Sequence, residues 1–170
     1  MDSPGDKPAT VNELGDFVAW VLSKENCPYC WPTQENGYSG KDLKGAKYQG
    51  VYDCSGLISS GLFAATKGRI DWRASTGAQK MCSFLPKLTE AEAKGQPCLA
   101  FYGPALNAIN HVMLVLPDGR AFGACGGNHD CVTPEISAKK GARVRYRASY
   151  AYRPDFKCFR AIPLEGTWKK

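Results

Sequence analysis

The sequence predicts an α+β fold, with helices gathered at the front of the chain and packed on an antiparallel sheet formed by the rest. Three features carry that expectation. Two apolar segments with helical spacing lie before residue 68, short strand-like runs separated by turn residues fill the region after 97, and no internal repeat or strand–helix–strand alternation is present. With 170 residues, 44% of them hydrophobic and 11% aromatic, the chain has enough material for one core and the composition of a folded protein. The expected organisation is a loose arm over 1–10, a single domain over 11–164 and a short tail over 165–170.

The first helix is expected over 11–24. Thr10 and Glu13 have capping-box spacing, and Leu14, Phe17, Val18, Val21 and Leu22 follow at helical intervals until Asn26 and Pro28 stop the pattern. From Cys27 to Tyr52 no periodicity survives, and prolines and glycines punctuate a stretch rich in Tyr, Asn and Lys. A loop of that length inside one domain points to function. After Asp53-Cys54-Ser55-Gly56, the residues Leu57, Ile58, Leu62, Phe63, Ala64 and Ala65 form a strongly apolar helix closed by Gly68, expected to be buried.

A short helix is expected near 75–84 and one polar turn over Thr89–Gly95. Strands follow at 98–102, then a hairpin of 111–116 and 121–124 about the turn Pro117-Asp118-Gly119-Arg120. Thr133 caps a turn begun by Pro134, residues 143–147 alternate, and the last strand is placed at 158–163.

Composition narrows the function. No apolar run approaches the roughly 20 residues of a membrane helix, so no integral membrane segment is expected. The acidic, polar start Met1–Asp6 lacks a secretory leader's pattern, which suggests synthesis in the cytoplasm and delivery by another route. Lys and Arg number 22 against 16 Asp and Glu, a net charge of +6 that favours an anionic partner. The basic residues are scattered and no zinc-finger spacing, RNP signature or arginine block accompanies them, so nucleic acid is not the expected partner; an anionic bacterial envelope attracts the same surface.

The candidate chemistry centres on Cys54. A hydrolytic cysteine must reach the thiolate, and a helix N-terminus lowers a thiol's pKa through its unpaired amides and dipole. Cys54 is so placed, with Asp53 as cap; that carboxylate would oppose ionisation unless it is engaged by the capping amides. A thiol hydrolase also needs an imidazole, and the chain has two histidines. His111 heads an apolar strand and is expected to face the helix of Cys54, with Gly56 and Gly61 allowing helix and sheet to approach closely. His129, in Gly126-Gly127-Asn128-His129-Asp130, is the candidate to orient it; Asn128 or a main-chain carbonyl could fill that place, or the site could work as a dyad.

Eight cysteines are too few to imply a disulfide-built scaffold. Cys27 and Cys30 form a C-x-x-C pair, and Cys125, His129 and Cys131 are further soft ligands, but their spacing fits no common zinc site; neither metal nor cofactor is expected. Trp20 is expected in packing, whereas Trp31 and Tyr52, flanking the long loop, are candidates for groove walls.

Asp53-Cys54-Ser55-Gly56-Leu57, preceded by Pro28-Tyr29-Cys30-Trp31 and followed by His111-Val112 opening a hairpin, resembles the NlpC/P60 cell-wall peptidases over residues 11–162. Gly123-Ala124-Cys125-Gly126-Gly127 and Tyr152-Arg153-Pro154-Asp155-Phe156 look like the versions in bacteriophage lysins and tail proteins. The resemblance implies a papain-like α+β fold and a monomeric thiol hydrolase of bacterial peptidoglycan, cutting a stem-peptide amide such as the γ-D-glutamyl bond to a diamino acid. It matches Cys54 to the nucleophile, His111 to the base and Tyr29 to a tyrosine facing the site; Ser55 and Asn128 join Tyr29, Trp31 and Tyr52 as expected substrate contacts. Two positions depart from the pattern: Cys30-Trp31-Pro32-Thr33 replaces a glycine-rich continuation, and Gly123 stands where the family often has its third polar residue. An inactive wall-binding module, or an effector amidase with another substrate, would carry the same residues.

Overall fold

The computed structural model describes residues 11–31 and 50–168. Helices α1 (Glu13–Leu22) and α2 (Cys54–Ala65) pack together on one face of a six-stranded antiparallel sheet. Its strands are β1 (Lys87–Leu88), β2 (Cys98–Tyr102), β3 (His111–Val115), β4 (Ala121–Cys125), β5 (Arg143–Arg147) and β6 (Phe156–Arg160), in the spatial order β1-β6-β2-β3-β4-β5. Three short helices, α3 (Ala78–Phe84), α4 (Glu90–Ala93) and α5 (Pro134–Lys140), and a 3₁₀ turn at Tyr150–Tyr152 complete the fold.

Strands β2, β3 and β4 are buried throughout because both sheet faces are covered. Leu99, Phe101, Val112, Leu114, Phe122, Ala124 and Val144 point to the helices and meet Phe17, Val18, Val21, Leu57, Ile58 and Leu62. Alternate residues Ala100, Tyr102, Met113, Val115, Ala121 and Cys125 point the other way, where Tyr150, Tyr152, Phe156 and Phe159 cover them. A six-strand sheet thus separates two apolar layers, and His111 opens the strand between them.

The expected elements are present, with shifted ends. The cap of α1 is Asn12, whose Oδ1 accepts from Gly15 N at 3.2 Å; Thr10 lies outside the described residues. The last strand begins two residues earlier than expected, at Phe156, and the strand β1 and the 3₁₀ turn were not anticipated. Residues 165–168, expected as a tail, return to the head of α1: Leu14 N donates to Glu165 O at 2.8 Å and Thr167 N to Asn12 Oδ1 at 3.0 Å. Most of the loop expected over 27–52 lies outside the described residues, but both of its ends are described. Tyr29 and Tyr52 form a parallel bridge, with Cys30 N donating to Tyr52 O and Tyr52 N to Pro28 O, both at 3.1 Å.

Gly61 has a different role from the expected helix–sheet contact. A Cβ there would meet Val21 Cγ2 at 2.7 Å and Phe17 Cε2 at 2.9 Å, so this glycine brings α2 against α1. Gly61→Val is therefore expected to lower stability by about 2 kcal/mol through overpacking, read as a fall in the urea midpoint with little change in slope. The eight cysteines are all thiols, with the Sγ atoms of Cys82 and Cys158 3.5 Å apart. No helix among the described residues is long and apolar enough to cross a membrane.

Candidate active site

Cys54 is the first residue of α2, and Asp53 is its cap: the carboxylate, buried in the fold, accepts from Gly56 N at 2.6 Å. The acid beside the thiol is thus engaged by a capping amide, as the sequence argument required. The half-buried Cys54 thiol lies 4.0 Å from the carbonyl oxygen of Asn110, the residue that immediately precedes His111. The head of α2 and the head of β3 therefore meet at these residues.

Several contacts fix the start of β3. Tyr102 pairs with His111 across β2–β3, and Asn110 N donates to Tyr102 O at 2.9 Å. The preceding loop is held by Gln79 of α3, whose Oε1 accepts from Ile109 N at 2.6 Å and whose Nε2 donates to Leu106 O at 3.1 Å. Arg153 holds it from the other side, with an Nη atom donating to Asn110 Oδ1 at 3.2 Å while its Nε donates to Asp155 at 2.8 Å. That ion pair keeps the Asp155 carboxyl below the ordinary carboxylate range.

The His111 imidazole is buried among aromatic rings. Tyr102 stands 5.3 Å from it between centroids, and His111 Nε2 is hydrogen-bonded to the Tyr152 hydroxyl at 2.7 Å. Burial pushes the His111 pKa down to about 3; the Arg153 and Arg147 guanidinium groups push the same way, and Asp155 opposes them. The resting imidazole is neutral at pH 7. Its side chain belongs to the sheet face opposite the helices, and the contact between the head of β3 and α2 is that of Cys54 Sγ with the Asn110 main chain, at the strand end and not across the helix–sheet interface.

The hydrogen-bond partner of His111 is neither of the two expected residues. His129 is 74% exposed, faces Asp130 at 3.6 Å and contacts Trp31 edge-on at 6.0 Å. Asn128 turns its carbonyl oxygen inward on its own loop, accepting from Asp130 N at 3.0 Å. Neither replaces Tyr152 at His111 Nε2. At Gly123 a Cβ would meet Met113 Sδ at 2.7 Å, so any side chain there would have to displace the methionine. Tyr152 instead arrives from the 3₁₀ turn after β5, which Ser149 caps by accepting from Ala151 N at 3.0 Å. The motif Tyr152–Phe156 was visible in the sequence, but nothing in its spacing linked it to His111.

Of the other expected contacts, Tyr29 lies at the site. Burial, and after it the neighbouring Cys54 and Asp53, hold its hydroxyl proton well above the ordinary range, so Tyr29 remains a donor. Gly127 lies flat on its ring, where a Cβ would sit 2.4 Å from Tyr29 Cδ1. Trp31 is half-buried beside the 126–130 loop. Tyr52 and Ser55 are corrections to the groove expectation: Tyr52 is only 1% exposed and packs edge-on against Trp20, and Ser55 is buried in the first turn of α2. Cys30 is fully buried with its pKa raised to about 11, mainly by that burial, which makes it an inert thiol. Among the described residues no group of three or more His, Cys, Asp or Glu side chains is arranged to hold a metal ion.

At the level of sequence no family model and no curated protein matches the chain. Solved structures do match. The P60 domain of antigen MAP1204 from Mycobacterium avium subspecies paratuberculosis is 22% identical, with 90% of this chain and 96% of that chain covered and a TM-score of 0.59. The peptidoglycan hydrolase RipB of Mycobacterium tuberculosis is also 22% identical, with 97% and 75% covered and a TM-score of 0.61. RipD of the same organism, described as a non-catalytic NlpC/P60 domain protein adapted to peptidoglycan binding, is 19% identical, with 90% and 98% covered and a TM-score of 0.58. The chain has the NlpC/P60 fold. These matches lend no support to the phage-type likeness of residues 123–127 and 152–156.

Proposed function

We propose that this protein is a thiol peptidase that cuts an amide bond in the stem peptides of bacterial peptidoglycan, reached after delivery to the cell wall. The observation that carries this reading is the meeting of Cys54, at the capped start of α2, with the strand that presents His111, whose Nε2 is already held by Tyr152. The peptidoglycan hydrolase activity named for RipB supports the substrate class.

In this mechanism His111 Nδ1 takes the thiol proton as Cys54 Sγ bonds to the amide carbonyl carbon. The carbonyl electron pair moves onto oxygen, next to the first turn of α2 and the Tyr29 hydroxyl. His111 then returns the proton to the departing amine, and water hydrolyses the thioester. For Nδ1 to accept, the ring must carry its proton on Nε2 and donate it to the Tyr152 oxygen; the opposite tautomer would aim Nδ1–H at the sulfur. Tyr152 is thus a positioning residue. Tyr152→Phe is expected to lower kcat about 10-fold with KM nearly unchanged, while Tyr152→His should recover part of the rate; a changed KM with unchanged kcat would contradict this role.

Mass spectrometry of fragments from defined peptidoglycans tests the function directly. The expected product carries one new free amine, on the diamino acid if the γ-D-glutamyl bond is the one cut. A second reading has its own support: the third polar residue is missing at Gly123, and RipD keeps the fold as a non-catalytic protein. A wall-binding module of that kind would bind peptidoglycan and release no amine.

A further inference from the structure

Strand β5 carries Arg143, Arg145 and Arg147 at alternate positions, so their side chains leave the same face about 7 Å apart. Their cross-strand partners are Cys125, Gly123 and Ala121, which places them on the side of the sheet that holds Met113, Tyr102 and Tyr152. Arg147 lies over the Tyr152 ring at 5.0 Å, and Tyr152 in turn holds His111. The row therefore ends one tyrosine ring away from the proposed base.

Three observations make this row unusual as mere surface charge. Among the described residues none of the three arginines forms an ion pair. The Nε atoms of Arg145 and Arg147 are enclosed and have no hydrogen-bond acceptor. Guanidinium groups without an acceptor are costly, and their outer Nη donors are the ones an arriving anion can satisfy. The common structural use of inward charge on an edge strand, to prevent pairing with another chain, is already met at the start of β5 by residues 26–29: Asn26 N donates to Val144 O at 2.8 Å, Val144 N to Cys27 O at 2.9 Å and Tyr29 N to Ala142 O at 3.1 Å. Gly123, opposite Arg145, is covered on this face by the Met113 side chain, so the arginines flank a methionine and not a charged neighbour.

We propose that Arg145 and Arg147 form a carboxylate-binding subsite that selects substrate peptides bearing free carboxylates over their amidated forms. The assignment rests on the peptidase reading above and adds a specificity determinant to it. The link between the row and the site is Tyr152, whose ring lies under Arg147 and whose hydroxyl holds His111, next in sequence to the Asn110 that touches Cys54. The planar fork of arginine pairs with a carboxylate through two parallel hydrogen bonds, which a carboxamide cannot accept in the same way.

The test uses a synthetic stem tetrapeptide with all carboxylates free and the same peptide with its carboxylates converted to carboxamides. Calorimetry with the Cys54→Ala protein is expected to show the acid form bound about 10-fold more tightly. Adding Arg145→Gln and Arg147→Gln should remove that preference by weakening only the acid form, and lysine at both positions should restore part of it. Equal affinity for the two peptides, no binding of either, or equal weakening of both by the arginine changes would overturn the assignment. Cleavage by the wild-type protein is read separately. A preserved preference without cleavage would refute the peptidase reading alone, whereas cleavage with an arginine-independent KM would refute the subsite alone.

Discussion

Cys54→Ala is expected to abolish peptidoglycan hydrolysis, with a fall of about 10⁴-fold or more in kcat, and to leave the fold in place. No other described thiol opens a helix. Cys30, Cys98, Cys125 and Cys131 are buried, and burial raises the pKa of Cys30 to about 11 and of Cys98 to about 12, which suppresses the nucleophilic form. Cys82 is raised by burial and by its contact with Cys158. Stability should change little, because Cys54 is only half-buried and alanine suits the first turn of a helix whose cap, Asp53 to Gly56 N, is untouched. Circular dichroism and an unchanged denaturation midpoint separate this outcome from simple unfolding. Wild-type release of amine by the Cys54→Ala protein would remove the thioester mechanism.

The sheet was legible because its strands announce themselves by composition and by the turn residues between them. Pro117-Asp118-Gly119 closes the β3–β4 hairpin with Leu116 O accepting from Gly119 N at 2.8 Å, and the flanking apolar runs are long enough to fix the elements. The helix of Cys54 was legible for a related reason, since a capping acid, a small first turn and an apolar body agree at every level. β1 escaped notice because two residues carry no period, and its strand character comes only from pairing with Arg160 and Phe159. The start of β6 was misplaced because Phe156 and Lys157 follow a turn-like Arg153-Pro154-Asp155, whose arginine and aspartate are in fact bonded to each other.

The candidate site was half legible. Local signals identify Cys54 and His111 individually, because each sits at the start of its own element. The group that holds His111 depends on a chain return between β5 and β6, where Tyr152 is 41 residues away in sequence and no periodicity records the contact. Proximity in sequence favoured His129 and Asn128, but Asn128 is drawn into an Asx-type turn and His129 stays with Asp130 in solvent. Tyr52 misled for another reason: an aromatic beside a long loop looks like a groove wall, yet the bridge to Tyr29 and the edge contact with Trp20 turn it inward.

His111→Gln is expected to lower kcat by about 10³-fold and, more diagnostically, to change how stability depends on pH. The folded imidazole has a pKa near 3, whereas an unfolded histidine titrates near 6.5. Between those values the unfolded chain binds a proton that the folded protein refuses, so stability falls as pH falls; the contribution is fully present above about 6.5 and lost as pH drops toward 3. The carboxylates held down by partners, Asp71 by Arg73, Glu92 by Thr89 and Asp155 by Arg153, lose their own contribution at lower pH, below about 4.5. The window from 6.5 to 4.5 therefore isolates His111. There the wild-type protein should lose on the order of 2 to 3 kcal/mol that the His111→Gln protein keeps, at the conversion of about 1.4 kcal/mol per pH unit. The same neutral imidazole predicts that wild-type kcat/KM holds its pH 7 value down to about pH 5, where an ordinary histidine base would already have lost most of it. Parallel stability curves for the two proteins, or an acid limb near pH 6.5, would mean that His111 is open to water and free to charge, which the hydrogen bond from its ring to Tyr152 inside the aromatic layer opposes.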